Sequence, residues 1–293
     1  MLDDQTTQSQ KPQARIFVVS HDQKLLDCVA DTHILHKSLL SDLDIAEKYK
    51  GENLAESRFL VGNELLDGNF DFRGFVSARW DERFPKWPKL ANMEKLFEEI
   101  TLPQHEKSFF APISLRLSKS QVQSWIEIQD LLHPGMKSLI VSLIEFNSIS
   151  FQRNETYNLV MGNNFVIPTQ IAEDFLVFWQ NSLKFLEASY GLEFPFTYRC
   201  HLCGVTSVDG IDRWTRVRHA GFLLERVTAL FFLSRPDLKS IYLRKGRIVE
   251  LRRKPIYRGV GFGFWLTILG SKISSRGKQC NGGHQDFKKV EDN

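Results

Sequence analysis

Residues 14–20 read ARIFVVS, with Ile16, Phe17, Val18 and Val19 in unbroken succession. A strand with one face in water would alternate apolar and polar side chains. A run that stays apolar on both parities has to be covered on both faces, and strands of that kind open parallel sheets packed between helices. His21 and Asp22 then fall at the carboxyl end of the strand, the end at which open α/β sheets bind their ligands.

Asn53 to Phe84 repeats this pattern. Leu54, Phe59, Leu60, Leu65 and Leu66 recur at helical spacing, and Phe70, Phe72, Gly74 and Val76 alternate only loosely with Asp71, Arg73 and Ser77, as in a mostly buried strand. Arg79, Trp80, Asp81, Glu82 and Arg83 are then released into a loop closed by Pro85. A burst of charge at a strand's carboxyl end is either a site or a solvated turn.

Further along, the spacing predicts a helix near Met93–Ile100 and another over 117–132, ending before His133-Pro134-Gly135. Residues 138–146, SLIVSLIEF, fit a helix or a buried strand, and 157–167 read as extended. An amphipathic helix covers 170–190, and a last one, about 218–233, carries Glu225 as the one acid on an apolar surface. This is an α/β succession with a mostly parallel sheet flanked by helices, and 293 residues with 42% hydrophobic content suffice for a sizeable core.

Four cysteines, 28, 200, 203 and 280, are too few and too irregular for a disulfide framework, and no signal-peptide pattern opens the chain, so a reducing cytoplasm is the expected compartment. Cys200 and Cys203 lack a second ligand pair for zinc and read more simply as buried thiols. Asp42-Leu43-Asp44 has the spelling of a metal-binding acidic pair but precedes the helix and strand that should come first. Asp209 and Asp212 read as a turn and a helix cap.

Between 235 and 278 lie twelve basic residues against Asp237 and Glu250, in a chain whose formal net charge is only +3. Within that segment, 259–270, GVGFGFWLTILG, is apolar but short of the roughly 20 residues that span a bilayer as a helix. A solvated basic hairpin over 242–257 is the plain reading. An anionic membrane surface is the functional one, and no nucleic-acid module is recognisable. The expected divisions are a disordered leader, 1–13, a main domain, 14–235, a basic and aromatic segment, 236–270, and a disordered tail, 271–293.

In the order of these residues the chain resembles the bacterial capsular-polysaccharide glycosyltransferase-like family over roughly 14–235. The opening strand ARIFVVSH, Asn53 and Glu56 at a helix start, Gly74 and Arg79 on the next strand, Asn164-Phe165, Trp179, and Gly221 with Glu225-Arg226 follow the family's succession. Ser77-Ala78 stand where the family has His-Tyr, and Trp80 stands where it has a second arginine. The resemblance implies a Rossmann-like type A glycosyltransferase domain, a nucleotide-sugar donor, a glycan or lipid-linked glycan acceptor, and a cytoplasmic enzyme, peripheral on the inner membrane face. His21, Asn53, Glu56, Arg58, Arg79 and Asn164 would then hold the donor.

Such a transfer needs the diphosphate leaving group neutralised, by a divalent cation (manganese or magnesium) on carboxylates or by cationic side chains, and a carboxylate to receive the acceptor's proton. Arg79 and Arg58 suit the phosphate and Asp81 a metal, while Glu225, set among Phe222, Leu223, Leu224 and Val227, suits the base. The plainer alternatives are an Arg79 pair with Asp81 or Glu82, a Glu225 pair with Arg218 or Arg226, and Asn53 as a helix cap. A non-catalytic membrane- or polyanion-binding protein on the same fold is the second functional class.

Overall fold

The structure is a computed structural model that describes residues 13–20, 22–40, 64–84, 89–98, 105–112, 114–132, 135–190, 198–199, 206–207, 213–244 and 247–250. The leader before Gln13, the helix expected from Asn53 as far as residue 63, the apolar stretch 259–270 and the tail lie outside these residues; the end of that helix, Glu64–Leu66, is a 3-10 turn. Strands are β1 (Ala14–Ser20), β2 (Leu35–Leu39), β3 (Phe72–Ser77), β4 (Ser108–Phe110), β5 (Ser114–Ser118), β6 (Thr156–Val160), β7 (Phe165–Pro168), β8 (Tyr198–Arg199), β9 (Thr206–Ser207), β10 (Lys239–Arg244) and β11 (Arg247–Glu250). Helices are α1 (Gln23–Asp27), α2 (Trp80–Arg83), α3 (Met93–Glu98), α4 (Lys119–Leu132), α5 (Met136–Phe146), α6 (Thr169–Tyr190) and α7 (Arg213–Ser234).

The central sheet has seven strands in the order β11-β10-β4-β7-β3-β1-β2, and β5-β6 and β8-β9 form two-stranded sheets of their own. β1 is parallel to both β2 and β3, and β10 is parallel to β4. β7 lies antiparallel between β3 and β4, and β11 turns back antiparallel on β10. Five strands thus share one direction and two oppose it, a mostly parallel mixed sheet flanked by helices.

Strand alternation sorts the core into two layers. Ala14, Ile16 and Val18 of β1, with Phe72 and Val76 of β3 and Val166 of β7, meet Leu26, Leu90, Met93 and Phe97 on one face. Phe17, Val19, Phe75, Phe165 and Ile167 meet the four long helices α4–α7 on the other. With both faces covered, the unbroken apolar run of β1 is the pattern that burial demands. The ambiguous stretch 138–146 is helical: Met136, Leu139, Ile140 and Leu143 are its buried residues, spaced 3, 4 and 7 apart.

The helix expected from 117 begins at Lys119, because Leu117 and Ser118 end β5 and the Ser118 N–H and hydroxyl both donate to Gln121 Oε1. The extended stretch expected over 157–167 divides into β6 and β7 around a turn that holds Gly162 at φ 78°. Of the stretch 242–257, one reading of which is a basic hairpin, the part up to Glu250 pairs as β10 and β11, with Ile241 opposite Glu250 and Arg244 opposite Arg247, and 251–257 lie outside the described residues.

Candidate functional site

From β1 the chain goes to β2 on one side of it and β3 on the other, so the carboxyl ends of β1 and β3 flank a topological switch point. Ser20 is the last residue of β1, and its hydroxyl accepts from Asp22 N–H at 3.0 Å. Asp22 Oδ1 caps α1 by accepting from Lys24 N–H at 2.9 Å. His21, the candidate between them, lies outside the described residues.

Across the switch point β3 ends at Ser77. The Ala78 N–H donates to the Val19 carbonyl at 2.9 Å, and the Arg79 N–H reaches the Ser77 hydroxyl at 3.3 Å. Residues 80–83, expected as loop, make one helical turn because Trp80 is driven inward. It is fully buried, stacked on Phe110 at 5.8 Å between ring centroids and edge-on to Phe84 at 5.1 Å. That anchor leaves Arg79 exposed at the helix start, and among the described residues its guanidinium has no hydrogen bond or ion pair. The pairing with Asp81 or Glu82 that sequence left open does not form.

Asp81 is exposed too, but its Oδ1 accepts from Leu90 N–H at 2.8 Å and closes the segment between α2 and the short 3-10 turn at Leu90–Asn92. Among the described residues no three of His, Cys, Asp and Glu converge as a metal cage would require.

Because β7 runs against β3, the turn that starts it arrives at the same rim. Asn164 is 7% exposed, and its Oδ1 accepts from the Ser77 backbone N–H at 2.9 Å. A backbone N–H only donates, so this bond fixes which way the carboxamide points. Asn163, 5% exposed, accepts from the Thr228 hydroxyl of α7 at 2.7 Å. Helix α7 runs towards the amino end of β10, so Glu225, three residues before Thr228, lies on the rim side of that contact.

Glu225 is 36% exposed, and its Oε2 pairs with Arg226 Nη1 at 3.0 Å. Arg226 in turn donates from Nε to Gln129 Oε1 of α4 at 2.8 Å. Of the pairings sequence left open for Glu225, the one with Arg226 forms.

The structure therefore brings Arg79, Asn164 and Glu225 to one end of the sheet, with Asp81 two residues beyond Arg79. Asn53, Glu56, Arg58, Cys200, Cys203 and the aspartates 42, 44, 209 and 212 lie outside the described residues. Asn163 and Thr228 went unremarked in the sequence. Gly162-Asn163-Asn164 is a turn signal that could have divided the extended stretch, but nothing in the spacing points to Thr228, 65 positions away. No protein-family model, curated protein or solved structure matches this chain.

Proposed function

We propose that this protein is a glycosyltransferase that moves a sugar from a nucleotide-sugar donor to a glycan acceptor in the assembly of capsule or another surface polysaccharide, on a type A nucleotide-sugar fold. The observation that carries the reading is the Arg79 guanidinium, unpaired among the described residues at the switch point of β1 and β3, two residues beyond Ser77, whose N–H donates to the Asn164 carboxamide. When the bond between the sugar and the diphosphate breaks, charge collects on the leaving oxygen, and a cation placed there beforehand lowers the barrier. A planar guanidinium free of internal partners can grip two phosphate oxygens at once.

Glu225 serves as the base. With Oε2 on Arg226, Oε1 remains to accept the proton of the attacking acceptor hydroxyl. A lipid-linked acceptor would bring the chain to the inner membrane face, where Lys239, Arg244 and Arg247 of the β10–β11 hairpin add to the basic segment's attraction for anionic headgroups. The second reading, a binding protein on this fold without turnover, is favoured by the inward commitments of Glu225 to Arg226 and Asp81 to Leu90.

Uridine, guanosine, cytidine and thymidine diphosphate sugars, tested by thermal shift with and without manganese, separate these readings. One of them is expected to raise the melting temperature by mass action. Arg79→Ala should abolish that shift without moving the ligand-free melting temperature. Glu225→Gln should keep the shift and lose about 10²–10⁴-fold in transfer rate. Donor binding without transfer in the unmodified chain would select the binding protein, and no shift with any donor would overturn both the donor site and the enzyme.

A further inference from the structure

The turn between β6 and β7, Met161–Asn164, is bonded on two sides at once. Asn164 holds the end of β3 through the Ser77 N–H, and Asn163 holds α7 through the Thr228 hydroxyl. The second bond is sealed from water, with Thr228 completely buried. In so dry a place a bond that is not made leaves a polar group uncompensated, so the pairing has one geometry. Gly162 at φ 78° provides the bend that sets the two asparagines on opposite errands.

Each neighbour carries one side of the rim. Ser77 leads to Arg79 in two residues, and Thr228 stands three residues after Glu225, close to one helical turn. The path Glu225, Thr228, Asn163, Asn164, Ser77, Arg79 is thus short, and its two hydrogen bonds measure 2.7 and 2.9 Å. We propose that Asn163 and Thr228 are positioning residues, which set the separation between the α7 side of the rim and the β3 side and so hold Glu225 in reach of a ligand gripped by Arg79. The consequence for transfer rests on the glycosyltransferase reading; the mechanical tie does not.

The test removes the hydroxyl alone. Thr228→Val keeps the shape of the side chain and breaks the bond to Asn163, whereas Thr228→Ser keeps the bond; Thr228→Ala serves if valine is not accommodated. Native-state hydrogen exchange compares two adjacent amides, Ser77, whose acceptor is Asn164 Oδ1, and Ala78, whose acceptor is the Val19 carbonyl. The valine variant is expected to exchange Ser77 about tenfold faster with Ala78 unchanged, and the serine variant to match the unmodified protein. Equal acceleration of both amides would mean general loosening, and no acceleration would mean no tie; either overturns the proposal.

On the transfer side, Thr228→Val should lower kcat about tenfold and leave KM for the donor unchanged, because the phosphate grip lies on the β3 side. Transfer absent from the unmodified protein would count against the enzyme reading, with the exchange comparison still deciding the tie.

Discussion

Arg73 is 2% exposed, and among the described residues no carboxylate forms an ion pair with it. Its Nε donates to Thr169 Oγ1 at 3.1 Å, and its two terminal nitrogens donate to the carbonyls of Asp67 and Gly68. The Phe70 ring has the guanidinium carbon of Arg73 5.1 Å from its centroid and that of Arg15 at 5.4 Å. Burial first, and then the neighbouring Arg15, lower the affinity of Arg73 for its proton. Carbonyl dipoles and an aromatic face compensate the charge, and the 67–70 turn is wrapped around it. Arg73→Met should therefore destabilise strongly, by about 1–3 kcal/mol for each buried acceptor left without a donor, read as a fall in the urea midpoint. Because Arg73 sits at the end of the sheet opposite Arg79, donor binding by the folded fraction should be unaffected. In sequence the two arginines look alike, each on or just after the same strand. Only the turn that closes over Arg73, and the burial of Trp80 that turns Arg79 outward, distinguish a structural cation from an available one.

At the scale of elements, β3 is the most constrained. A Cβ on Gly74 would lie 2.9 Å from Val166 Cγ2 and 3.0 Å from both Ile16 Cγ1 and Ile16 Cγ2, so the strand fits between β1 and β7 only without a side chain at that position. Gly74→Ala should cost about 1–3 kcal/mol through overpacking, seen as a lower melting temperature, and Gly74→Val more. β1 and α6 were legible because their apolar periods are long and each buries the surface its pattern presents. Residues 138–146 were ambiguous because a short apolar run looks the same to a buried strand and a buried helix. Of the candidate site residues, Arg79 follows from a strand end alone, whereas Asn164 and Glu225, also expected, reach the same rim through the reversal of β7 and the packing of α7. The link from Asn163 to Thr228 joins elements far apart in the chain, and no local pattern encodes such a meeting.

At the scale of the whole molecule, two histidines among the described residues bind protons less readily than the ordinary value of 6.5 would have them do. His105 is lowered by burial and then by Lys239 of the neighbouring β10, and His36 by burial and then by Arg15. Below that value the unfolded chain takes up more protons than the folded one, so stability is complete above it and declines as the pH falls towards the folded-state values. The urea midpoint should be lower at about pH 5.5 than at about pH 7.5, and His105→Gln should flatten that dependence. An unchanged slope in the variant would assign the acid sensitivity elsewhere.

The reversed strand β7 has a consequence for how the chain is made. Without it the sheet falls into two pieces, β1–β2–β3, complete by Ser77, and β4 with β10 and β11, and only four residues, Phe165–Pro168, stitch them together. A chain emerging from the ribosome must expose the bare edge of β3 for nearly ninety residues before its partner is synthesised, and β4 waits still longer for β10. Pairings so distant in sequence are slow to close and vulnerable while open. In biosynthesis, the exposed edge of β3 is covered when Phe165 meets Phe75, and that of β4 only when Ile241 meets Phe110.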